Sequence, residues 1–327
     1  MRVTTPTFFR PNAAFFSRVT QRSSFSTQPF PSTVDLNLIG RCNLNCAWCW
    51  GPEHDAAEPI RLNEWKELVT KLQQLGTKNV IITGGEPLLK RWLPDLIRYI
   101  KLDLKMRVTL STNGILLRRK ANEILPYIDD LGIPIDGPSD DVNKLMRIGK
   151  FKHFDIALDA IKYVQSEYPE IDLTVRTVVA QPNLEFIPQI GQVLLNAGIN
   201  PEKLRWKLYQ VNPIGPRKKD ILSGDWLVSL DDFNRAVDKA KDLNPKIKIC
   251  AQPFDKHAGR YFMVFPDGAS HAIENGKDGF PCEKHLGNVF DNLDMVIKNL
   301  SGEVYLENNN AHGAPQLSGC KTSPTLR

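Results

Sequence analysis

Between residue 35 and about residue 215, short apolar runs alternate with amphipathic stretches, and that alternation leaves few folds open. The apolar runs are VDLNLIG, KNVIITGGEP, MRVTLSTNG, IPIDG, IDLTVRTVVA and LRWKLYQV. Between them lie LNEWKELVTKLQQLG, which stops at Gly76, then RWLPDLIRYIKL, RRKANEILPYIDDLG, HFDIALDAIKYVQSEYP and NLEFIPQIGQVLLNAG, all with helical spacing. Strands separated by helices imply parallel pairing with right-handed crossovers. Such units build either a doubly wound sheet or a partial barrel, and periodicity alone does not choose. The polar residues do. Chemistry-bearing residues recur at the strand ends: a cysteine loop, GGEP, STN, DGP, Arg176 and RWKLYQ. A barrel gathers such ends at one mouth, whereas an open sheet spreads them along an edge. The expected fold is therefore α/β, a partial (β/α)6 TIM-like barrel over residues 35–215.

A C-terminal α+β extension is expected over 216–307, capping the barrel. LDDFNRAVDKAKDL reads as a helix capped by Ser229 or Asp231. KIKICAQ and YFMVFPDGASHAI read as strands, the second turning at PDG. LGNVFDNLDMVIKNL reads as a closing helix. Residues 308–327 are low in apolar content and are expected to be a mobile tail.

With 327 residues, 42% of them hydrophobic and 24% charged, the chain can bury a full core without disulfide staples. No apolar run approaches the ~20 residues of a spanning helix, so no membrane partner is expected. The net charge of +5 owes much to Arg2, Arg10, Arg18 and Arg22, which precede the first acid, Asp35. The remainder is near neutral, so no nucleic-acid partner is expected either. Residues 1–34, rich in Arg, Ser, Thr and Phe, have the composition of a disordered mitochondrial transit peptide, RSSFST being a plausible processing site. A tail without an address, leaving the protein cytoplasmic, is the alternative.

Cys42, Cys46 and Cys49 stand in CNLNCAWCW, while Cys250, Cys282 and Cys320 are scattered. Without a secretory signal, a disulfide framework is not expected, and the cluster reads as a metal site. Soft thiolates select zinc, Cu(I) or iron–sulfur clusters. With His54, the three could form a Cys3His zinc site. Alternatively they could hold three irons of a cubane and leave the fourth open. S-adenosylmethionine (SAM) could chelate that iron through its amino and carboxylate groups.

The spacing CxxxCxxC after a first strand resembles the radical SAM superfamily, in which an aromatic such as Trp48 precedes the last cysteine. GGEP at Gly84–Pro87, STNG at Ser111–Gly114 and IDGPSDDVNKLMR follow the family's order on successive strands. The resemblance covers about residues 35–212. It implies a 4Fe-4S cluster on Cys42, Cys46 and Cys49 and a SAM pocket of Gly84, Gly85, Glu86, Ser111, Asn113, Asp136 and Arg147. It also implies a 5′-deoxyadenosyl radical, hydrogen-atom abstraction, and an electron donor such as a flavodoxin or ferredoxin system. The serine that opens the family's fourth element is Pro134 here. Trp48 would shield the cluster or flank the adenine, and Trp50 would pack the loop.

The substrate is less constrained. Strand parity leaves open whether Arg176 points inward, where it would suit a carboxylate or phosphate. Arg205, Lys207 and Tyr209 share one face of LRWKLYQ. RWK and the DD-VN stretch resemble viperin-type nucleotide dehydratases, which would make Arg205 and Lys207 triphosphate ligands. A small anionic or nucleotide-like substrate is expected. Alternatively, VFPDGASHAI…FPCEKHLGNVF resembles a degenerate SPASM-like extension of peptide-modifying radical SAM enzymes. In that reading Cys250, Cys282 and Cys320 are ordinary thiols. A non-catalytic iron–sulfur or zinc protein is the third reading.

Overall fold

The computed structural model describes residues 30–300. Strand β1 (Thr33–Asn37) leads through the cysteine loop to helix α1 (Leu62–Gln74). Then come β2 (Asn79–Thr83), α2 (Leu93–Arg98), β3 (Arg107–Ser111), α3 (Leu117–Ile124), β4 (Asp130–Pro134), α4 (Asp140–Met146) and α5 (His153–Glu167). After these follow β5 (Asp172–Val179), α6 (Ile187–Asn196), β6 (Leu204–Gln210), α7 (Lys218–Ser223) and α8 (Leu230–Leu243). The described chain closes with β7 (Lys248–Gln252), β8 (Phe262–Val264), β9 (Ala269–Asn275), β10 (Pro281–Asn288) and α9 (Leu293–Leu300). Since β1 begins at Thr33 and Phe30 packs edge-on against Phe262, the fold starts before residue 35. Residues 1–29 of the expected targeting segment, residues 301–307 of the expected extension and the expected tail of 308–327 lie outside the described residues.

All strands join one ten-stranded sheet in the order β10-β9-β8-β1-β2-β3-β4-β5-β6-β7. From β8 through β7 every pairing is parallel, and β9 and β10 add an antiparallel hairpin. The sheet is curved but not closed: its edge strands are β7 and β10, and β7 does not pair with β8. The expected partial barrel is therefore present, and the strands after residue 216 join the same sheet at both of its edges. Residues 253–261 cross the gap as a strap. Gln210 Oε1 accepts from Phe254 N at 3.2 Å, and Gly259 N donates to Ile273 O at 2.8 Å.

The outward side chains of the strands meet the helices. Val34, Leu36, Val80, Ile82, Val108, Leu110, Leu131 and Ile133 are fully buried there against Trp65, Leu72, Leu96 and Ile161. Each buried aliphatic side chain contributes roughly 1.5–3 kcal/mol. The inward faces carry Asp35, Asn79, Thr109, Asp130, Thr174, Arg176, Arg205 and Lys207, so the barrel interior is polar. Two local readings change, and DDVN, not assigned from sequence, becomes part of a helix. The helix of RRKANEILPYIDDLG ends at Ile124, before Pro126, and β4 starts at Asp130, so Gly132 is inside a strand rather than a stop. DDVN is in helix α4, with Ser139 Oγ accepting from Val142 N at 3.4 Å. The stretch ending at LGN is strand β10, and the closing helix starts only at Leu293.

Candidate functional site

One cavity of about 310 Å³ opens at the barrel mouth. Cys42, Cys46 and Cys49 line it together with Gly84, Gly85, Asn113, Arg147, Arg176 and Tyr209. Only a curved sheet brings residues of β1, β3, β5, β6 and β8 to one space.

The cysteine loop is fixed from two sides. From β2, Gly85 N donates to Ile39 O at 2.6 Å and Glu86 N to Arg41 O at 2.9 Å. That approach requires glycine: a Cβ on Gly85 would meet Gly40 O at 2.2 Å and Arg41 O at 2.3 Å. Gly84 has φ +138°, in the region where side chains are strained. From the end of α4, Ile148 O accepts from Asn45 N at 2.8 Å and Met146 O from Trp48 Nε1 at 3.0 Å. The loop's own amides turn toward sulfur, Leu44 N to Cys42 Sγ and Gly51 N to Cys49 Sγ, each at 3.4 Å.

Arg147 supplies the positive charge. It lies 3.9 Å from Cys46 Sγ and over the Trp48 ring, 4.9 Å from its centroid. Burial pushes the Cys46 thiol up to about 12, and Arg147 opposes that shift. Burial also raises Cys42. Behind the cavity, Asp136 forms an ion pair with Arg147 at 2.6 Å and accepts from Val178 N at 2.8 Å. Asn143 Oδ1 accepts from Asp136 N at 2.9 Å, and its amide lies 3.0 Å from His153 Nδ1. The other ring nitrogen of His153 is 2.9 Å from Asn113 O. Burial and then Arg147 lower His153 to about 3, so the ring is neutral and its Nε2–H donates to Asn113.

The residues expected to hold SAM fall into two groups. Gly84, Gly85, Ser111, Asn113 and Arg147 line the cavity. Glu86 and Asp136 are fully buried behind it. Glu86 accepts from Leu88 N, Thr112 Oγ1 and Asn113 N at 2.8–2.9 Å, tying the GGEP loop to the STNG loop. Burial raises it to about 6 despite these bonds.

The substrate candidates also separate. Arg176 faces the cavity and donates to Ser111 Oγ at 2.6 Å. Its guanidinium lies over Gly132, where a Cβ would meet Arg176 Cζ at 2.4 Å. Lys207 is below it, 7% exposed, and burial followed by Arg176 brings its pKa down to about 8. Arg205 stands at the start of β6 and pairs with Asp130 and, at 4.0 Å, with Asp172, apart from the cavity lining. His54 lines the cavity. Trp50 packs edge-on against Tyr261 and His257.

Sequence reasoning missed Asp35, whose placement inside the apolar run VDLNLIG was a usable signal. It lines the cavity, and burial raises it to about 7 against the pull of Arg176 and Lys207. It also missed His153, Asn212 and His257, which carry no local pattern, and it read Asn143 only as part of DD-VN.

Comparison with known proteins completes the picture. The sequence profile of the Radical SAM superfamily matches residues 36–184. Residues 36–184 form a radical SAM domain. Fe-coproporphyrin III synthase of Methanosarcina barkeri is 30% identical over 228 residues, 68% of this chain and 54% of that protein. The chain thus spans about half the length of that relative. The S-adenosylmethionine-dependent nucleotide dehydratase of Flammeovirga pacifica is 29% identical over 257 residues, 75% of this chain and 83% of that protein. Streptococcus suis SuiB bound to S-adenosylmethionine shares the fold, with TM-score 0.62 at 15% identity over 84% of this chain and 67% of its own.

The cofactors of a radical SAM domain are a 4Fe-4S cluster and SAM. When bound, they would supply radical chemistry on delivery of an electron to the cluster. The donor set fits them. Cys42, Cys46 and Cys49 are the thiols that would hold three irons, and the Gly84–Gly85 backbone, Asn113 and Arg147 would meet SAM beside them. Among the described residues no three Cys, His, Asp or Glu side chains converge on a single ion, as a zinc site with His54 would require.

Proposed function

We propose that the protein abstracts a hydrogen atom from a small anionic, nucleotide-like substrate held against the barrel wall opposite the cysteines. The observation that carries this reading is Arg176. Its guanidinium lines the cavity, has one bond to Ser111, and keeps a buried Nε without a partner among the described residues. A planar fork with unused donors suits phosphate or carboxylate. Lys207, in register with Arg176 on the neighbouring strand, places a second cation close to it, and Asp35 limits the local charge excess. The relative named as a nucleotide dehydratase supports the substrate class. Arg205 acts here as an ion-pair partner of Asp130 rather than as a phosphate ligand.

Peptide modification through an auxiliary cluster has less support. Cys250 is disulfide-bonded and not the free thiol expected. It lies on β7, at the sheet edge opposite Cys282 on β10. Cys320 is outside the described residues. The electron donor is taken to be a flavodoxin- or ferredoxin-type protein, and the mitochondrial address of residues 1–34 is part of the proposal. Fusing those residues to a reporter and following its import tests the address.

The test of the function is anaerobic reconstitution followed by reduction with dithionite and measurement of 5′-deoxyadenosine. Nucleoside triphosphates should raise its formation, and R176M should remove that stimulation. Stimulation by peptides alone would overturn the substrate class. Failure to form 5′-deoxyadenosine with any reductant or substrate would favour a non-catalytic carrier.

A further inference from the structure

Two side chains on the cavity wall each leave one buried polar atom without a partner among the described residues. Asn212 follows β6, and His257 lies in the strap between β7 and β8. Both line the cavity, and they are 6% and 2% exposed. Asn212 Nδ2 and His257 Nδ1 are 3.3 Å apart. With Nδ1 accepting that amide proton, the neutral ring carries its own proton on Nε2. Burial, and then Arg260, lower His257 to about 4, while Asp255 opposes the shift, so the ring is neutral near pH 7.

What remains is one acceptor and one donor. Asn212 Oδ1 and His257 Nε2 have no hydrogen-bond partner among the described residues. Buried polar groups are costly to leave unpaired, so two of them on the wall of one cavity mark contacts that a ligand completes. The pair is also held in place. The imidazole stands edge-on to Trp50 and Tyr261, with centroids 5.8 and 5.7 Å away. Elsewhere on the wall the chemistry differs, because Arg176 offers positive charge there and Lys207 stands in register with it on β6. A molecule that suits both regions is anionic at one end and planar, neutral and hydrogen-bonding at the other.

We propose that Asn212 and His257 are the specificity-determining pair of the substrate site and read the donor–acceptor edge of a nucleobase. A base N–H donates to Asn212 Oδ1, and the neighbouring base acceptor takes the proton of His257 Nε2. This rests on the nucleotide reading above and adds which residues see the base. A site built to pair a polar edge rejects molecules lacking that edge, because its own groups are then left buried and unsatisfied.

The test uses the reconstituted holoenzyme with SAM bound. Equilibrium binding is measured for the four ribonucleoside triphosphates and for inorganic triphosphate, which has the charge and no base. At least one nucleoside triphosphate should bind about tenfold or more tightly than inorganic triphosphate. N212A and H257F should each erase about tenfold of that preference while SAM affinity and the visible iron–sulfur absorbance stay unchanged. H257Q, which keeps a donor, should restore part of it and serves if H257F does not load its cluster. Equal binding of triphosphate with and without a base, or a preference that survives both variants, overturns the inference. If inorganic triphosphate binding still depends on Arg176 in that case, the anionic reading stands alone. If no nucleotide binds at all while SAM does, the nucleotide reading fails and the base-reading pair falls with it.

Discussion

The carboxylate of Asp136 stands 2.6 Å from Nε of Arg147, and the same guanidinium reaches to 3.9 Å from Cys46 Sγ. The charge beside the cysteine loop is thus set by a residue at the end of β4 that does not line the cavity. The contact is an ion pair held from all sides, since the backbone of Val178 and the side chain of Asn143 also grip Asp136.

Removing that carboxylate strands a buried cation. D136N should lower unfolding stability by roughly 3–5 kcal/mol in denaturant titrations. It should also reduce iron–sulfur absorbance after reconstitution, because Arg147 no longer has a fixed position. D136L combined with R147M should lose less stability than the sum of the single variants, since no charge is left alone. An additive double variant would show that the two side chains do not act as a pair.

His153 gives a pH signature. Its folded pKa is about 3 against an ordinary 6.5. Between those values the unfolded chain takes up a proton that the folded chain refuses, so this group's contribution to stability falls as pH drops through the window. The slope is about 1.4 kcal/mol per pH unit. Glu86 and Asp35, both raised, slope the opposite way in part of that range, so the comparison must be with a variant. H153Q can keep both hydrogen bonds without titrating. The stability of wild type relative to H153Q should fall by about 2 kcal/mol from pH 6.5 to 5. A constant difference across those pH values would rule out a neutral buried His153.

Gly85 tests the seating of the cysteine loop. G85A drives a Cβ into two backbone carbonyls, which cannot rotate away as a side chain could. A cost of about 1–3 kcal/mol is expected, with a loss of cluster loading out of proportion to that cost. Iron content per folded chain is the measurement. Full iron content in G85A would mean that the loop has another way to sit.

Gly132 tests the substrate wall through its contact with Arg176. G132A pushes directly on the Arg176 guanidinium. The variant should load its cluster and bind SAM as wild type does, yet lose anion-stimulated 5′-deoxyadenosine formation about as fully as R176M. R176K should rescue poorly, because a lysine lacks the planar fork. Unchanged stimulation in G132A would remove Arg176 from substrate binding.

Much of the site's first contact was legible because its elements are local motifs. CNLNCAWCW, GGEP and STNG each carry their spacing within one loop, and the alternation of strands and helices orders them. The supporting groups were not legible. Asn143, His153 and Asn212 act through partners up to 45 residues away, as with Asn212 and His257. Nothing in a linear sequence sets such residues apart from surface polar ones. RWK misled by proximity. Arg205 and Lys207 share a face of β6, but strand tilt leaves the first at the floor beside Asp130 and the second buried beneath Arg176. Gly132 misled differently, because it looks like a helix stop and is instead the clearance that Arg176 requires.

Strands β7 and β8 do not pair with each other, which gives the barrel a seam, and the nine residues 253–261 act as its clasp. The thiols, the glycines and Arg147 belong to the arc between β1 and β4, which Trp50 joins to the clasp through His257 and Tyr261. In the proposed function, radical generation and molecular selection then fall on neighbouring parts of the circumference. Lengthening or rewriting the clasp can change what the enzyme accepts.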